Sequence, residues 1–236
     1  FTAAFLSFLG LMESRAQNMQ NNRNMEKLKL TEEWDKTFPK SDKVDHSKVT
    51  FVNRFGITLA ADLYVPKIAV ADKFPAIAVS GPFGAVKEQS SGLYAQTLAE
   101  RGFLTIAFDP SFTGESSGQP RSVASPDINT EDFSAAVDYL ATRPDVDAER
   151  IGILGICGWG GFAINAAAND TRIKATVAST MYDISRANAN GYFDAADNAD
   201  ARYRMRRELN AQRTKDYRTG TYPCTTMNPE PAEDAP

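Results

Sequence analysis

The sequence predicts an α/β fold with a mostly parallel sheet, and two observations predict it. Apolar runs alternate with amphipathic stretches through the middle of the chain, which is the order of βαβ units. Three of these runs, "FPAIAVSGP", "FLTIAFDPS" and "RIGILGICG", are nearly continuous and end at turn-forming residues. Such runs are typical of parallel strands buried on both faces.

The composition fits one large globular domain with a full core. The 236 residues are 42% hydrophobic and 24% charged. A net charge of -4 and a pI near 5.2 provide no basic field, so nucleic acid is not an expected partner. The two cysteines, Cys157 and Cys224, are too few for a disulfide framework, although a single bridge between them stays open.

The first residues predict an exported protein. Residues 1–12 form an apolar run of signal-peptide length that is too short to span a bilayer, and Ser14 and Ala16 are suited to cleavage. We therefore expect residues 1–16 to be the remainder of a signal peptide and the protein to be periplasmic or secreted. A short buried or interfacial helix is the alternative. We expect no stable membrane span.

The next segments predict an arm, a hairpin and the first unit of the sheet. Residues 17–47 are polar and predict a surface arm with one short helix around residues 31–36. From Lys48, "KVTFVNRFGITLAADLYVP" predicts two alternating strands joined by a tight turn. "FPAIAVSGP" then predicts a buried strand, and "SSGLYAQTLAERG" predicts a helix that ends at Gly102.

The following units complete a core over residues 48–183. "FLTIAFDPS" predicts a strand, and "NTEDFSAAVDYLATRP" predicts a helix that begins at Asn129 or Thr130. "RIGILGI", "GGFAINAAAN" and "IKATVAST" predict a strand, a helix and a strand. Residues 184–236 predict two polar helices and then a loop. The basic patch at residues 202–207 is expected to be a solvated helix face, and part of a lid is the alternative.

A cysteine lies at the tip of the glycine-rich turn after the third buried strand. Gly155 stands two positions before Cys157, and Gly158 follows it. The next helix opens with Gly160 and Gly161. A nucleophile on a tight strand-to-helix turn needs small neighbours, and the helix N-terminus favours the thiolate. We therefore predict that Cys157 is a catalytic nucleophile; a small buried cysteine that fills a tight contact is the alternative.

Two backbone N–H groups are predicted to form an oxyanion hole beside this cysteine. One belongs to Gly158, and the other belongs to Phe83 in the loop after the first buried strand. Because parallel strands bring their carboxyl ends to one edge of a sheet, Gly81, Asp109 and Cys157 should cluster there.

These motifs, in this order, resemble the α/β-hydrolase superfamily. "SGPFGAVKEQ", "FDPSFTGESSG" and "GICGWGG" are most similar to exported dienelactone-hydrolase-like or YcjY-like bacterial members with a cysteine nucleophile. The resemblance covers roughly residues 48–183 and implies a three-layer sandwich, with a helical cap insertion and a truncated tail in residues 184–236. It further implies hydrolysis of a small-molecule ester, thioester or lactone through an acyl-cysteine, with no cofactor and no metal.

The sequence departs from the superfamily at the catalytic acid and histidine. The superfamily places its acid and histidine after the nucleophile, and no histidine follows Cys157. The single histidine, His46, is expected at the surface before the first strand. Because two or three further strands are also expected, we interpret the sequence as part of a larger hydrolase. We expect this part to lack activity by itself.

Several other polar residues receive secondary interpretations. We expect Asp109 to cap the turn after its strand, with a role in the site as the alternative. We expect Glu88 to lie at the surface, with the positioning of a substrate or a loop as the alternative. Asp183 and Asp194 are candidate acids only if the cap rearranges. Cys224 is expected in a loop without a role.

Two other functions stay open. Residues 158–163 fit the pattern G-x-G-x-x-A and Asp183 follows at the spacing of a ribose-binding acid, as in an NAD(P)-dependent oxidoreductase. This fingerprint usually opens the first βαβ unit, and Trp159 lies where the backbone must approach a pyrophosphate. A non-catalytic binding protein on a hydrolase scaffold is the second alternative.

Overall fold

The computed structural model describes residues 26–67 and 72–223, with a six-stranded sheet at its centre. The strands are β1 (Val44–Val52), β2 (Thr58–Pro66), β3 (Phe74–Ser80), β4 (Leu104–Phe108), β5 (Val146–Ile156) and β6 (Ile173–Ser179). Their order in the sheet is β1-β2-β4-β3-β5-β6. β2 is antiparallel to both neighbours, whereas β4, β3, β5 and β6 run parallel. The predicted mostly parallel sheet with an N-terminal hairpin is confirmed.

Helices cover both faces of this sheet. These helices are α1 (Ser90–Ala99), α2 (Pro126–Ala141) and α3 (Gly158–Asn169); two further helices, α4 (Ile184–Asn190) and α5 (Ala199–Thr219), follow along the chain. Ala107 on β4 packs into a buried cluster with α1, whereas the next residue, Phe108, contacts Phe133 of α2 with ring centroids 5.2 Å apart. Because successive strand residues point to opposite faces, α1 and α2 lie on opposite sides of the sheet. α3 packs beside α2, which completes a three-layer core.

The arm before the sheet differs from its prediction. Residues 26–43 contain no helix, and β1 begins at Val44 rather than at Lys48. Backbone groups of the arm bond elsewhere: the Thr37 N–H donates to the Glu88 carbonyl at 3.0 Å, and Gln96 Nε2 of α1 donates to the Pro39 carbonyl at 3.0 Å. These long-range bonds replace the local bonds that a helix around residues 31–36 needs.

α2 also begins earlier than predicted. Ser125 precedes the helix and Pro126 is its first residue, a position that suits proline because its missing N–H needs no partner there. Asn129 is not a cap but a buried residue inside the first turn, where Asn129 Oδ1 accepts from the Ser125 N–H at 2.8 Å. The predicted start at Asn129 or Thr130 is therefore wrong.

The described chain divides into two compact units, the first up to Tyr182 and the second from Asp183. The second unit holds the two expected polar helices, α4 and α5, and no residue of either helix is buried. Among the described residues, no helix is both long enough and apolar enough to cross a membrane. The predicted signal peptide of residues 1–16 and Cys224 lie outside the described residues.

Candidate active site

Cys157 occupies a strained turn between β5 and α3. Its backbone has φ 59° and ψ −128°, a conformation that costs a non-glycine residue about 1–3 kcal/mol and persists only where its surroundings hold it. The Cys157 N–H donates to the Ser179 carbonyl on β6 at 2.9 Å, and the Gly160 N–H donates to the Cys157 carbonyl at 3.0 Å. The thiol is free and half-buried at the N-terminus of α3. This is the backbone geometry that a nucleophile elbow requires.

The glycines around the cysteine permit close packing. A Cβ added to Gly155 would lie 2.3 Å from the Trp159 carbonyl oxygen, and one added to Gly160 would lie 2.9 Å from Met181 Cβ. At Gly161 the nearest atom, a backbone oxygen, would be 3.3 Å away. The glycines therefore let the turn and the first turn of α3 pack against β5 and the segment after β6.

The loop after β3 lies directly against this turn. Gly81 has φ 97°, and a Cβ added there would lie 2.5 Å from the Ile156 carbonyl oxygen. The Phe83 ring contacts Trp159 with centroids 5.7 Å apart. Gly158 is the first residue of α3, so its N–H has no acceptor within the helix. The structure thus brings the loop of Phe83 and the turn of Cys157 to the same edge of the sheet.

His46 lies inside β1 and not at the surface, so that prediction is wrong. Its side chain is 12% exposed, and its Nε2 lies 2.8 Å from Asp62 Oδ1 on β2. The Lys36 Nζ of the arm also contacts Asp62 Oδ1, at 3.0 Å. β1 and β5 are four strand spacings apart in the sheet order, which places His46 roughly 19 Å from Cys157. His46 therefore cannot serve as the general base of this cysteine.

A buried ion cluster lies at the carboxyl end of β4, formed by Lys48, Lys87, Glu88, Asp109 and Glu115. Lys87 Nζ lies 2.5 Å from Glu88 Oε1, 2.8 Å from Asp109 Oδ2 and 2.7 Å from Glu115 Oε2. Lys48 Nζ contacts Glu115 Oε2 at 2.8 Å. The predicted surface position of Glu88 is wrong, because pairing with a lysine permits its burial.

Asp109 has the structural role that the sequence predicts. Its Oδ2 accepts from the Glu115 N–H at 2.9 Å, and its Oδ1 accepts from the Lys87 N–H at 2.8 Å. A Cβ added to Gly114 would lie 2.2 Å from Asp109 Oδ2, so the turn after β4 wraps closely around this carboxylate.

The charged groups of the ion cluster shift one another's pKa values. Burial favours a lower pKa for Lys87, but the attraction of Asp109 and the bonds to the three carboxylates outweigh it and raise the pKa. Burial raises the pKa of Asp109, and Lys87 opposes this. Burial also acts upward on Glu115, yet hydrogen bonds from Lys48 and Lys87 hold its pKa at about 2. The cluster is thus held together by charge pairs in a site with little water.

The spacing of the three acidic groups is compatible with a cation. One oxygen each from Glu88, Asp109 and Glu115 lies within 4.8 Å of the others. The ammonium of Lys87 contacts all three carboxylates, so it supplies the positive charge at that point. Sequence analysis missed Lys87 and Glu115. Their signal is the charged residues of "VKEQ" and "GESSG", each of which lies in the loop that follows a buried strand.

The two candidate acids of the second unit have local roles. Asp183 caps α4, accepting from the Arg186 N–H at 2.9 Å. Asp194 Oδ1 accepts from Arg186 Nε at 2.8 Å, and that bond holds the pKa of Asp194 at about 2.

The packing of Trp159 bears on the dinucleotide alternative. Its side chain is 2% exposed and lies between the rings of Phe83 and Phe162. The start of α3 at residues 158–163 therefore packs on the core of the protein, whereas a dinucleotide site needs a backbone open to a pyrophosphate. This geometry favours the elbow interpretation over the oxidoreductase.

Comparison with known proteins gives a family. The family described as X-Pro dipeptidyl-peptidase (S15 family) matches residues 56–234. Uncharacterized protein PA2218 of Pseudomonas aeruginosa is 61% identical over 221 residues, which cover 92% of this chain and 59% of that protein. Uncharacterized protein YcjY of Escherichia coli is 42% identical over 194 residues, covering 81% of this chain and 63% of that protein. The chain thus spans about three fifths of the length of these relatives.

Solved structures give the fold. The crystal structure of PA2218 matches with a TM-score of 0.81 at 65% identity, covering 83% of this chain and 61% of that chain. An acetyl xylan esterase from Paenibacillus sp. R4 matches with a TM-score of 0.57 at 19% identity, covering 89% of this chain and 71% of that chain. With the strand order, these likenesses confirm the α/β-hydrolase fold.

Some more distant relatives carry the names of reactions. Thiohydrolase aneE of Aspergillus aculeatus is 34% identical over 129 residues, which cover 55% of this chain and 39% of that protein. The similarity therefore concerns about half of the chain.

Proposed function

The chain belongs to the X-Pro dipeptidyl-peptidase (S15 family), and on this basis we propose that its protein hydrolyses ester, thioester or lactone bonds of small molecules through Cys157. The observation that carries the proposal is the backbone of Cys157, held at φ 59° between a strand and a helix N-terminus. A cysteine that only fills space needs no such strain.

The reaction proceeds in two halves. The thiolate of Cys157 attacks the carbonyl carbon of the substrate, which forms a C–S bond and moves the π electrons onto the oxygen. The N–H groups of Gly158 and Phe83 donate to this oxyanion. When the oxyanion collapses, the bond to the leaving group breaks, and the leaving group takes the proton that the Cys157 thiol gave up when the thiolate formed. Water then attacks the acyl-cysteine and releases the acid and the thiol.

The general base of this reaction is not assigned to a residue that the structure describes. His46 is bonded to Asp62 on the far side of the sheet, and Asp183 and Asp194 are engaged with Arg186. We therefore propose that residues 1–236 by themselves do not turn over substrate. Activity is accordingly measured on the natural full-length protein.

The preferred substrates are activated acyl compounds and not peptides. Thioesters are supported by the likeness to a protein named thiohydrolase. The family description names a dipeptidyl-peptidase, so an X-Pro p-nitroanilide is assayed beside p-nitrophenyl acetate and an acetyl thioester. Hydrolysis of the anilide alone would replace the acyl-ester proposal by peptide cleavage.

Replacing the nucleophile tests this function. In the natural full-length protein, we expect Cys157→Ala to lower the hydrolysis of p-nitrophenyl acetate by roughly 10³-fold or more, because the acyl-enzyme cannot form. Cys224→Ala is the matched control and should retain activity. Equal thermal stability of the two variants excludes unfolding as the cause. Turnover by Cys157→Ala at the rate of the control would contradict the assignment.

We also propose that the protein is exported, because residues 1–12 form an apolar run of signal-peptide length. Fractionation of bacteria that produce the natural full-length protein checks it: the protein is expected in the periplasm or medium, and recovery with the cytoplasmic fraction would contradict it.

A further inference from the structure

The loop that carries Phe83 is held at its first end by the elbow. This loop, residues 81–89, joins β3 to α1. Gly81 packs on the Ile156 carbonyl, and the Phe83 ring packs on Trp159. The Ala85 N–H donates to the Pro82 carbonyl at 3.1 Å, so the loop turns back on itself directly after Phe83.

Lys87 holds the second end of the loop. The residue is 1% exposed. Its backbone N–H donates to Asp109 Oδ1 and its Nζ donates to Asp109 Oδ2, each at 2.8 Å. Main chain and side chain of one loop residue thus bind both oxygens of one carboxylate, which fixes the position and the orientation of the loop at this point.

The carboxylate that Lys87 binds is itself fixed to the sheet. The Asp109 N–H donates to the Ala60 carbonyl of β2 at 2.9 Å. The Glu115 N–H donates to Asp109 Oδ2 at 2.9 Å, and Glu115 Oε2 accepts from Lys87 Nζ at 2.7 Å. Lys87 therefore connects the loop to β4, to the turn after β4 and, through that turn, to the centre of the sheet.

Removal of the Lys87 ammonium would act on the loop through repulsion. Asp109 is fully buried, and Glu88 and Glu115 would face it without the cation between them. Glu88 belongs to the same loop, so its displacement moves the loop away from Asp109. Only three residues separate Lys87 from Phe83, and a misplacement of about 1 Å at a reacting centre can lower a rate about 10²-fold.

We propose that Lys87 is a positioning residue, which holds the Phe83 N–H beside Cys157 by fixing the loop of residues 81–89 to Asp109. This inference rests on the proposed function, because it concerns the oxyanion of the acyl-transfer step. It makes the ion cluster a part of the catalytic apparatus that acts through the loop, without contact to the substrate.

Two reactions of the same thiol separate positioning from general damage. Acylation of Cys157 by p-nitrophenyl acetate passes through an oxyanion, whereas alkylation by iodoacetamide uses the thiolate without one. In the natural full-length protein, we expect Lys87→Met to lower the acylation rate about 10²- to 10³-fold, as loss of an oxyanion donor does. The alkylation rate should stay within about two-fold of wild type, and kcat should fall with little change in KM.

A matched variant and a milder variant complete the experiment. Lys67→Met removes a half-exposed lysine at the end of β2 and should leave both rates unchanged. If Lys87→Met does not fold, Glu115→Ala removes one partner of Lys87 at a less buried position. We expect this variant to lower acylation about ten-fold and to leave alkylation unchanged.

Three results would overturn the proposal. Acylation that stays at the wild-type rate in the folded variants would show that the loop needs no such anchor. Acylation and alkylation that fall together would assign Lys87 to the fold or to the thiolate. A wild-type protein that is alkylated at Cys157 but never acylated would overturn the proposed function, and this proposal with it.

Discussion

Cys157 and its glycines form a tightly constrained turn. The strained backbone at Cys157 is kept in place by a bond to β6 and by a bond from the first turn of α3. Gly155 is essential to this arrangement, since the Trp159 carbonyl lies where its Cβ would be. Sequence analysis predicted that a nucleophile at this turn needs small neighbours. The structure gives the physical reason, which is the close contact between β5 and α3.

Gly155→Ala is therefore expected to be strongly destabilising. Because the added Cβ would lie 2.3 Å from a backbone oxygen, the helix or the strand must shift, at a cost of about 2–4 kcal/mol in the free energy of unfolding. Urea denaturation measures this cost. Gly56→Ala is the control, with a positive φ of 79° and no atom within 4 Å, and should cost about 1 kcal/mol. Equal losses in the two variants would contradict the packing argument.

At the scale of elements, a buried carboxylate joins the hairpin, the turn after β4 and α2. Asp132 is fully buried and accepts from Asn53 Nδ2 at 2.8 Å, the Ser111 N–H at 2.8 Å and Asn129 Nδ2 at 3.0 Å. The Ser111 hydroxyl donates to it at 2.7 Å. Burial raises the pKa of Asp132, and these bonds oppose the shift.

Asp132→Asn should weaken this junction, although it removes a buried charge. In place of either carboxylate oxygen, an amide NH₂ would face at least one group that only donates, so at least one buried donor loses its acceptor, at a cost of about 1–3 kcal/mol. Asp138→Asn on the same helix, where the carboxylate is half-exposed and pairs with Arg172, should change the stability by less than about 1 kcal/mol. Thermal denaturation compares the two, and an Asp132→Asn variant as stable as wild type would contradict the account.

The elements that sequence analysis predicted correctly are those encoded locally. "FPAIAVSGP", "FLTIAFDPS" and "RIGILGI" became β3, β4 and the end of β5, because a continuous apolar run needs no knowledge of its partners. Two of the errors concern residues whose surroundings come from distant parts of the chain. His46 is covered by Asp62 and by the arm. Glu88, in the loop after β3, is buried beside Lys48 of β1. Such pairings leave no periodic signal in a single sequence.

At the scale of the whole molecule, the ion cluster links folding to pH. The pKa of Glu115 is lowered from 4.5 to about 2, so its contribution to stability is present above pH 4.5 and is lost as the pH falls towards 2. The pKa values of Asp109 and of Asp132, which lies outside the cluster, are raised in the folded protein. Ionisation of these two carboxyl groups therefore lowers the free energy of unfolding as the pH rises above about 3.8. Acid stability is thus a difference between these effects.

The variant Glu115→Gln isolates the contribution of Glu115 to the pH dependence of stability. This variant cannot release or bind a proton at that position, so its free energy of unfolding should fall less steeply than that of wild type between pH 4.5 and 2. Urea titrations at several pH values measure the slope. Glu149→Gln, at a carboxylate that is 84% exposed, serves as the control and should follow wild type. Identical slopes for Glu115→Gln and wild type would contradict the assigned role of Lys48 and Lys87.

The central claim is that Cys157 carries the acyl group during hydrolysis, and peptide mapping of the trapped intermediate tests it most directly. The natural full-length protein is mixed with p-nitrophenyl acetate, quenched in acid within the burst and digested for mass spectrometry. The account predicts an acetyl group on the peptide that contains Cys157, and none after prior treatment with iodoacetamide. An acetyl group on another residue, or turnover that survives alkylation of Cys157, would contradict it.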